Sequence, residues 1–260
     1  MEYVIVCAVA LFASGLTLFS GFGLGTILMP ALAVFFPVPV AIGATAVVHL
    51  ANNFFKMFLV GRSANKNILI WFGVPAVIAA LLGAFLLNIV STFPAVASYQ
   101  LGGHIHEITL VKLTIGLIIV VFSCFELDSG FQKMTIDQKY MPIGGVLSGF
   151  FGGLSGNQGA LRSMFLIKAG ISKEEFIATN VVLAVLVDLA RLFVYGFGFY
   201  AVHFRVLSGI GPLVLAATIA AFIGAYLGKA LLKKVTLRAI QVLVGVMLVL
   251  LGLGLGSGLI

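Results

Sequence analysis

The sequence has few charged residues and hardly any acidic ones. Charged residues make up 9% of the 260 positions, with 15 Lys and Arg against 8 Asp and Glu, whereas a soluble domain has about a quarter. Apolar residues reach 62%. Such a chain cannot cover a folded surface with polar side chains, which excludes a soluble enzyme, a nucleic-acid-binding protein and a disordered protein. The net charge of +7 reflects the shortage of acids, and no Lys/Arg run resembles a nucleic-acid-binding patch.

Cysteine is also scarce. The two cysteines, Cys7 and Cys124, lie within apolar runs, which favours small packing residues over a disulfide. The first residues lack the basic region of a cleaved signal peptide, so we expect the first apolar stretch to stay in the fold. The 31 glycines indicate closely packed helices and irregular backbone within a membrane.

The apolar stretches predict an all-α polytopic membrane protein. A membrane-spanning helix needs about 20 apolar residues. Two stretches, 3–36 and 141–170, are too long for one span and are interrupted by glycine, so each is predicted to form a broken hairpin. Six others fit one span each: 40–60, 68–90, 109–126, 175–197, 207–228 and 235–257.

Lysine and arginine predict the orientation, because cytoplasmic loops are enriched in them. Loops 61–67, 127–140 and 229–238 are basic and predicted to lie inside, whereas loops 91–108 and 198–206 are poor in Lys and Arg and predicted outside. Counting spans then places 171–174 inside, so 141–170 must enter and leave on the same face. Both termini are predicted to be extracytoplasmic, in the cell inner membrane.

The chain repeats itself at an offset of 135, which divides it into residues 1–130 and 131–260. Each half comprises a glycine-broken hairpin followed by three transmembrane helices, and the loop charges predict that the second half is inserted upside down. Inverted repeats with discontinuous helices are typical of secondary transporters. The matching positions are Ser20-Gly21 with Ser155-Gly156, Phe36 with Ile171, Thr45 with Asn180, Asn53 with Asp188, Lys56 with Arg191 and Gly61 with Gly196.

The two breaks predict an anion site at the midplane. A half-helix that begins at a break presents free N–H groups and the positive end of its dipole, and Arg162 in the first turn after the second break adds a planar fork for oxyanions. The alternative is that Arg162 pairs with a helix C-terminus or extends to the interface. The predicted substrate-binding residues are Ser20, Gly21, Gly23, Gly25, Thr26, Thr45, Asn52, Ser155, Gly156, Asn157, Gln158, Gly159, Arg162 and Asn180.

A polar stripe follows one helical face of the span 40–60. It consists of Thr45, His49, Asn53 and Lys56, and the second half has Asn180, Ala184, Asp188 and Arg191 at the matching places. We interpret His49, Asn53, Lys56, Asp188 and Arg191 either as a proton or ion path or as polar contacts between helices, with Asp188 and Arg191 paired and Lys56 reaching the cytoplasmic edge.

His49 is the only histidine inside a span and could titrate near neutral pH, although a structural role is favoured. The motif His104-Ile105-His106-Glu107 lies in an outer loop with no further ligands nearby, so no metal and no cofactor is predicted.

Two glycine-rich segments resemble the signatures of the sulfite exporter TauE/SafE family. They are SGLTLFSGFGLGTILMP at 14–30 and GGVLSGFFGGLSGNQGALRSMFL at 144–166. The resemblance implies a membrane permease for small sulfur-containing anions such as sulfite, thiosulfate or organosulfonates. Where many members have three glycines in the second signature, this chain has Asn157-Gln158-Gly159, and the two amides could alter the preferred anion.

The leading hypothesis is therefore a secondary transporter for a small sulfur oxyanion in the lipid bilayer, with export favoured over proton-coupled import. An ion channel with re-entrant glycine-rich loops is the second hypothesis, although filters usually need several copies around one axis. An enzyme is not expected, because only Asp188 among the acids lies deep in a span and no nucleophile–base pair is visible. The sequence leaves the oligomeric state open, a homodimer included.

Overall fold

The structure, a computed structural model, describes residues 1–20, 24–128, 130, 136–167, 169–231 and 237–260. The helices are α1 (Glu2–Ser20), α2 (Leu24–Ala33), α3 (Val38–Val60), α4 (Lys66–Val90, π-helical over Leu69–Gly73), α5 (Leu110–Leu127), α6 (Met141–Ser155), α7 (Gly159–Ile167), α8 (Lys173–Leu231) and α9 (Leu237–Gly256). One-turn 3₁₀ helices at Gly61–Ser63 and Gln138–Tyr140 precede α4 and α6.

The distribution of polar and apolar side chains is that of a membrane protein. Large apolar residues face outward, with Phe58 84% exposed, while Asp188 and Arg191 are completely buried. Within the part of the chain that the structure describes, four helical segments are long and apolar enough to cross a bilayer, at Val38–Phe58, Lys66–Val90, Lys173–Phe197 and Gly209–Leu227. The predicted all-α polytopic membrane fold is confirmed.

A stripe of small residues joins α4 to α6. Glycines recur at every fourth position of α6, and a side chain on any of them would overlap a carbonyl of α4, so the two backbones lie in direct contact, as small-residue stripes allow in membranes. The contacts advance together along both helices, which therefore run parallel. The stripe Gly145, Gly149 and Gly153 lies against the carbonyls of Phe72, Ala76 and Ala80 in turn.

The stretch 141–170 enters and leaves at one end of the bundle. A β-carbon built on Gly170, after α7, would lie 3.8 Å from Nε2 of Gln138, before α6. The backbone N–H of Asn65 donates to Thr179 Oγ1 at 2.9 Å, so the start of α8 lies at the same end. A cavity of about 470 Å³ opens there, lined by Asn65, Asn67, Ile68, Trp71, Gln138, Lys139, Met141, Pro142, Ala169 and Ile171.

A β-hairpin occupies most of the predicted outer loop 91–108. Strands β1 (Ala95–Leu101) and β2 (His104–Thr109) pair antiparallel around Gly102-Gly103, both with positive φ (61° and 82°), as a tight hairpin turn requires. Gly258 packs against the carbonyl of Glu107, so the hairpin and the end of α9 lie together.

Helix α8 contains two spans in one helical stretch. The sequence predicts a loop at 198–206, but the backbone is helical there, because these residues include no proline and only one glycine, Gly198. Asp188 contacts His49 and Phe222 stacks on Phe55 at 5.1 Å. A straight helix would hold Asp188 and Phe222 about 50 Å apart, whereas His49 and Phe55 are less than two turns apart in α3. Helix α8 must therefore turn sharply between them, and both predicted spans pack on α3.

The repeat offset is visible in the backbone. Helices α1 and α6 end at Ser20 and Ser155, α2 and α7 begin at Leu24 and Gly159, and α3 and α8 begin at Val38 and Lys173. Each pair is separated by the offset predicted from the side chains. The opposite orientation of the two halves stays a prediction.

Candidate functional site

The second break is a buried left-handed turn. Helix α6 ends at Ser155, and Gly156 follows with φ 83°, a conformation that favours glycine. A β-carbon there would also lie 2.7 Å from Nη1 of Arg191, so no larger residue fits. Asn157 and Gln158 are buried as well, which places irregular backbone inside the protein, where membrane proteins tolerate it.

Hydrogen-bond donors converge on this break. The first helical bond of α7 runs from Arg162 N–H to the Gln158 carbonyl at 3.1 Å, so the N–H groups of the preceding turn are directed at the break. The amide nitrogens of Asn157 and Gln158, Nδ2 and Nε2, are buried and have no hydrogen-bond partner among the described residues. Buried donors without partners are rare in folded proteins, and together they form a cluster of donors of the kind that favours an oxyanion.

The guanidinium of Arg162 lies beside these donors. Its Nε donates to Asn180 Oδ1 at 2.7 Å and its Nη1 to Gln158 Oε1 at 3.2 Å. The Asn180 amide is oriented in turn by donating to the carbonyl of Phe176 at 3.0 Å. Arg162 is only 2% exposed, so it does not extend to the membrane interface. The structure thus brings together three predicted site residues from α7, α8 and the break.

The first turn of α2 lies against the second break. A β-carbon on Gly25, in the first turn of α2, would lie 3.5 Å from the carbonyl oxygen of Gly156 and 3.7 Å from Cδ2 of His49. Thr26 follows Gly25 in that turn. Of the other predicted residues of the first break, Gly21 and Gly23 lie outside the described residues, and of Ser20 only the backbone, at the end of α1, is described.

A charged triad lies beside the junction of the breaks. His49 Nδ1 is 2.6 Å from Asp188 Oδ2, and Arg191 Nη2 is 2.7 Å from Asp188 Oδ1. The sequence predicts the Asp188–Arg191 pair but finds no acidic partner for His49 within its own stripe. The partner comes instead from α8, which a single-helix pattern cannot indicate.

The triad defines the state of the imidazole. Because a carboxylate can only accept, the contact with Asp188 requires the proton of the imidazole to be on Nδ1. Asn53 Nδ2 lies 3.2 Å from both ring nitrogens and donates to the His49 carbonyl at 2.9 Å. Tyr195, which no sequence pattern indicates as a site residue, donates from its hydroxyl to the Gly153 carbonyl and so connects α8 to the end of α6.

Three other predicted residues of α3 are buried but differ in their hydrogen-bond partners. Asn52 Oδ1 accepts from Ser14 Oγ at 3.1 Å, a contact between α1 and α3. Thr45 is buried, and its Oγ1 has no hydrogen-bond partner in the described chain. Lys56 is 5% exposed, so it is enclosed in the bundle and does not reach an edge.

The histidines of the outer hairpin have structural contacts. His106 stacks on Tyr99 at 5.3 Å between ring centroids, and its Nδ1 lies 3.3 Å from the carbonyl of Gly258. Within the described residues, no group of three or more His, Cys, Asp or Glu side chains could hold a metal ion.

A helical bundle with outward-facing apolar side chains and buried charged groups defines a polytopic membrane protein. The family model for the sulfite exporter TauE/SafE family matches residues 6–255, and the chain belongs to that family. It is thus a membrane transporter of the sulfur-anion exporter type. No curated protein and no solved structure gives a significant match.

Proposed function

We propose that the protein is a secondary permease for a small sulfur-containing oxyanion such as sulfite, thiosulfate or an organosulfonate, and that it exports this anion. The observation that supports this most directly is the set of buried donors at the start of α7. A positive helix end, two buried amide nitrogens without a described partner and a buried guanidinium lie together at the second break, and each of these groups favours an oxyanion.

In the proposed binding mode, the backbone N–H groups and the guanidinium have different roles. The N–H groups after Gln158 bind the oxygens at the helix end, and Arg162, oriented by Asn180, opposes the charge. Glycine at 156 and 159 lets the anion approach the backbone closely. Asn157 and Gln158 donate at the positions where many family members have glycine.

Two halves of opposite orientation would allow the substrate site to open to each side of the membrane in turn. We propose that residues 1–130 and 131–260 are inverted repeats, with the anion at the junction where Gly25 meets Gly156. Rocking of one half against the other would expose the junction to each side in turn. We further propose the cell inner membrane as location, with both termini extracytoplasmic and the 470 Å³ cavity on the cytoplasmic side.

Proton-coupled import is a second candidate, favoured by the His49–Asp188 contact. The Asp188 carboxylate holds the imidazole so that Nε2 can accept a proton beside the anion pocket. A protonated His49 together with a monovalent anion would add no net charge to the loaded protein, so a pH gradient could drive uptake.

The test is transport by purified protein in liposomes. A panel of labelled sulfite, sulfate, thiosulfate, taurine and sulfoacetate is measured for uptake and efflux, with and without an imposed potential or pH gradient. Slow, saturable flux of the sulfur oxyanions supports the permease. Absence of flux for every anion would refute it, and large single-channel currents would support an ion channel in its place.

A further inference from the structure

The cavity of about 470 Å³ lies where α4 and α6 separate. From Gly145 onward the backbones of the two helices are in direct contact. One turn earlier in each helix, the side chains of Ile68 and Trp71 from α4 and of Met141 and Pro142 from α6 line a space between them. This space lies at the end of the bundle and is separate from the second break, which contributes none of its lining residues.

Trp71 places the cavity at the boundary of the lipid-facing surface. It is the single tryptophan of the chain, and its side chain is 64% exposed. It is also the first residue of an exposed apolar stripe along one face of α4, and in a membrane such a stripe contacts lipid chains. Because tryptophan is enriched where the hydrocarbon meets the headgroups, the cavity opens at headgroup level. The stripe consists of Trp71, Val74, Ile78, Leu82, Phe85 and Ile89.

The charges around the cavity favour an anion. Lys139 is a lining residue, and none of the lining residues in the described chain is acidic. The Lys139 ammonium lies 4.9 Å from the ring centroid of Tyr140, which is a neutral group, and the neighbouring Asp137 accepts from the Lys139 backbone N–H through its Oδ1. Helices α4 and α6 both begin here without an acidic residue in the first turn, so their positive ends add to the charge of Lys139.

The lining also combines hydrogen-bond donors with apolar surface. The Oδ1 of Asn65 accepts from the backbone N–H groups of Asn67 and Ile68, which leaves its amide nitrogen to donate into the cavity. The indole N–H of Trp71 is a second donor of this kind. Donors and a cation beside apolar side chains match a molecule whose charged phosphate is joined to an apolar part.

We propose that this cavity binds the headgroup of an anionic phospholipid, with the acyl chains along the exposed stripe of α4. Lys139 opposes the charge of the phosphodiester, Asn65 and Trp71 donate to its oxygens, and Ile68 and Met141 contact the glycerol backbone. A basic pocket between membrane helices is the usual setting for such a headgroup. Phosphatidylcholine fits less well, because its own ammonium group would lie beside Lys139. The inference goes beyond the proposed function and does not depend on which anion is transported.

The single tryptophan allows the site to be tested by fluorescence. Purified protein in an uncharged detergent is titrated with phosphatidylglycerol or phosphatidylcholine whose acyl chains carry bromine, which quenches tryptophan on contact. We expect saturable quenching of Trp71 at a mole fraction of phosphatidylglycerol about fivefold lower than that of phosphatidylcholine, the effect of about one basic residue at an anionic lipid. This preference should weaken at high salt.

Variants of Lys139 test the charge. Lys139→Met keeps the length of the side chain but removes its charge and should lose the preference for phosphatidylglycerol, whereas Lys139→Arg should retain it. Lys112→Met is the matched control, because Lys112 lies at the outer hairpin, where it donates to the Glu107 carbonyl. It should behave as wild type.

Three outcomes would overturn the proposal. Equal quenching of wild type by both lipids would show only general contact of Trp71 with the surrounding lipid. Inorganic phosphate that competes with the brominated lipid as well as unlabelled phosphatidylglycerol does would make the ligand a free phosphate. An unchanged preference in Lys139→Met would remove Lys139, and with it the headgroup site. None of these results bears on the permease, which the flux measurements in liposomes test separately.

Discussion

The imidazole Nδ1 of His49 lies 2.6 Å from the carboxylate Oδ2 of Asp188. The two residues belong to different halves of the chain and are 139 positions apart. Their contact therefore joins α3 to α8, and Arg191 adds an ion pair with the same carboxylate from the next turn of α8.

Removal of the Asp188 charge should destabilise the protein. Asp188→Asn leaves the buried Arg191 without its counter-charge, and loss of one partner of a buried pair costs about 3–5 kcal/mol. We expect a clear fall in the detergent unfolding midpoint and in the yield of monodisperse protein. Glu174→Gln, at an exposed acid in the first turn of α8, is the matched control and should behave as wild type. Equal stability of the two variants would contradict a buried ion pair.

Arg162 should be required for transport but not for membrane insertion. Arg162→Ala removes the guanidinium that bonds Gln158 and Asn180, so we expect loss of flux in liposomes. Arg162→Lys should retain part of the activity, because the charge stays but the planar fork is lost. Arg62→Ala, at an exposed position of the connection before α4, should transport normally. Substrate affinity at the wild-type level in Arg162→Ala would exclude Arg162 from the site.

The second helix break and the Asp188–Arg191 pair can be predicted from the sequence because both depend on local patterns. Glycine and polar residues interrupt the apolar run between α6 and α7, and Asp188 and Arg191 lie three positions apart on one helical face. The His49–Asp188 contact could not be predicted, because it depends on how α3 packs against a helix from the other half.

Two fold features were missed for similar reasons. The turn at Gly102-Gly103, between segments that alternate in polarity, is a hairpin signal that was read as a loop. The stripe Gly145, Gly149 and Gly153 shows that α6 packs closely, but not that α4 is its partner.

Because α4 and α6 are in direct backbone contact, we expect that adding even a methyl group to a glycine between them lowers the stability of the protein. In Gly149→Ala the new side chain would overlap the carbonyl of Ala76, and both groups are held in helices that cannot yield locally. Overpacking of this kind costs about 1–3 kcal/mol, measurable as a lower unfolding midpoint. Gly43→Ala is the control, since nothing lies within 4 Å of a β-carbon there. A midpoint for Gly149→Ala equal to that of Gly43→Ala would argue against this packing.

Topology can be tested by labelling single cysteines after Cys7 and Cys124 are replaced by alanine. Asn67→Cys and Glu174→Cys lie at the end of the bundle that contains the cavity and should react only from the cytoplasm. Ile105→Cys, at the exposed hairpin, should react only from outside. Reaction of Asn67→Cys from outside would reverse the predicted orientation. Reaction of Asn67→Cys and Glu174→Cys from opposite sides would contradict the fold.

The membrane potential should distinguish export from proton-coupled import. Each negative charge that leaves a cell with a negative interior gains about 2.3 kcal/mol per 100 mV, so downhill export needs no coupling ion. If the protein exports the anion, an inside-negative potential speeds efflux, a pH gradient alone drives little uptake, and His49→Gln keeps most of the efflux because the anion pocket at Arg162 is intact. If protons drive import, Nε2 of His49 must take up a proton in each cycle, which glutamine cannot do. Concentrative uptake driven by an acidic exterior and abolished in His49→Gln would therefore reverse the direction and make His49 the proton carrier.

Asn53→Ala is the control for a merely structural effect. It removes a neighbour of the imidazole ring but no titrating group, and it should leave the response to pH in place.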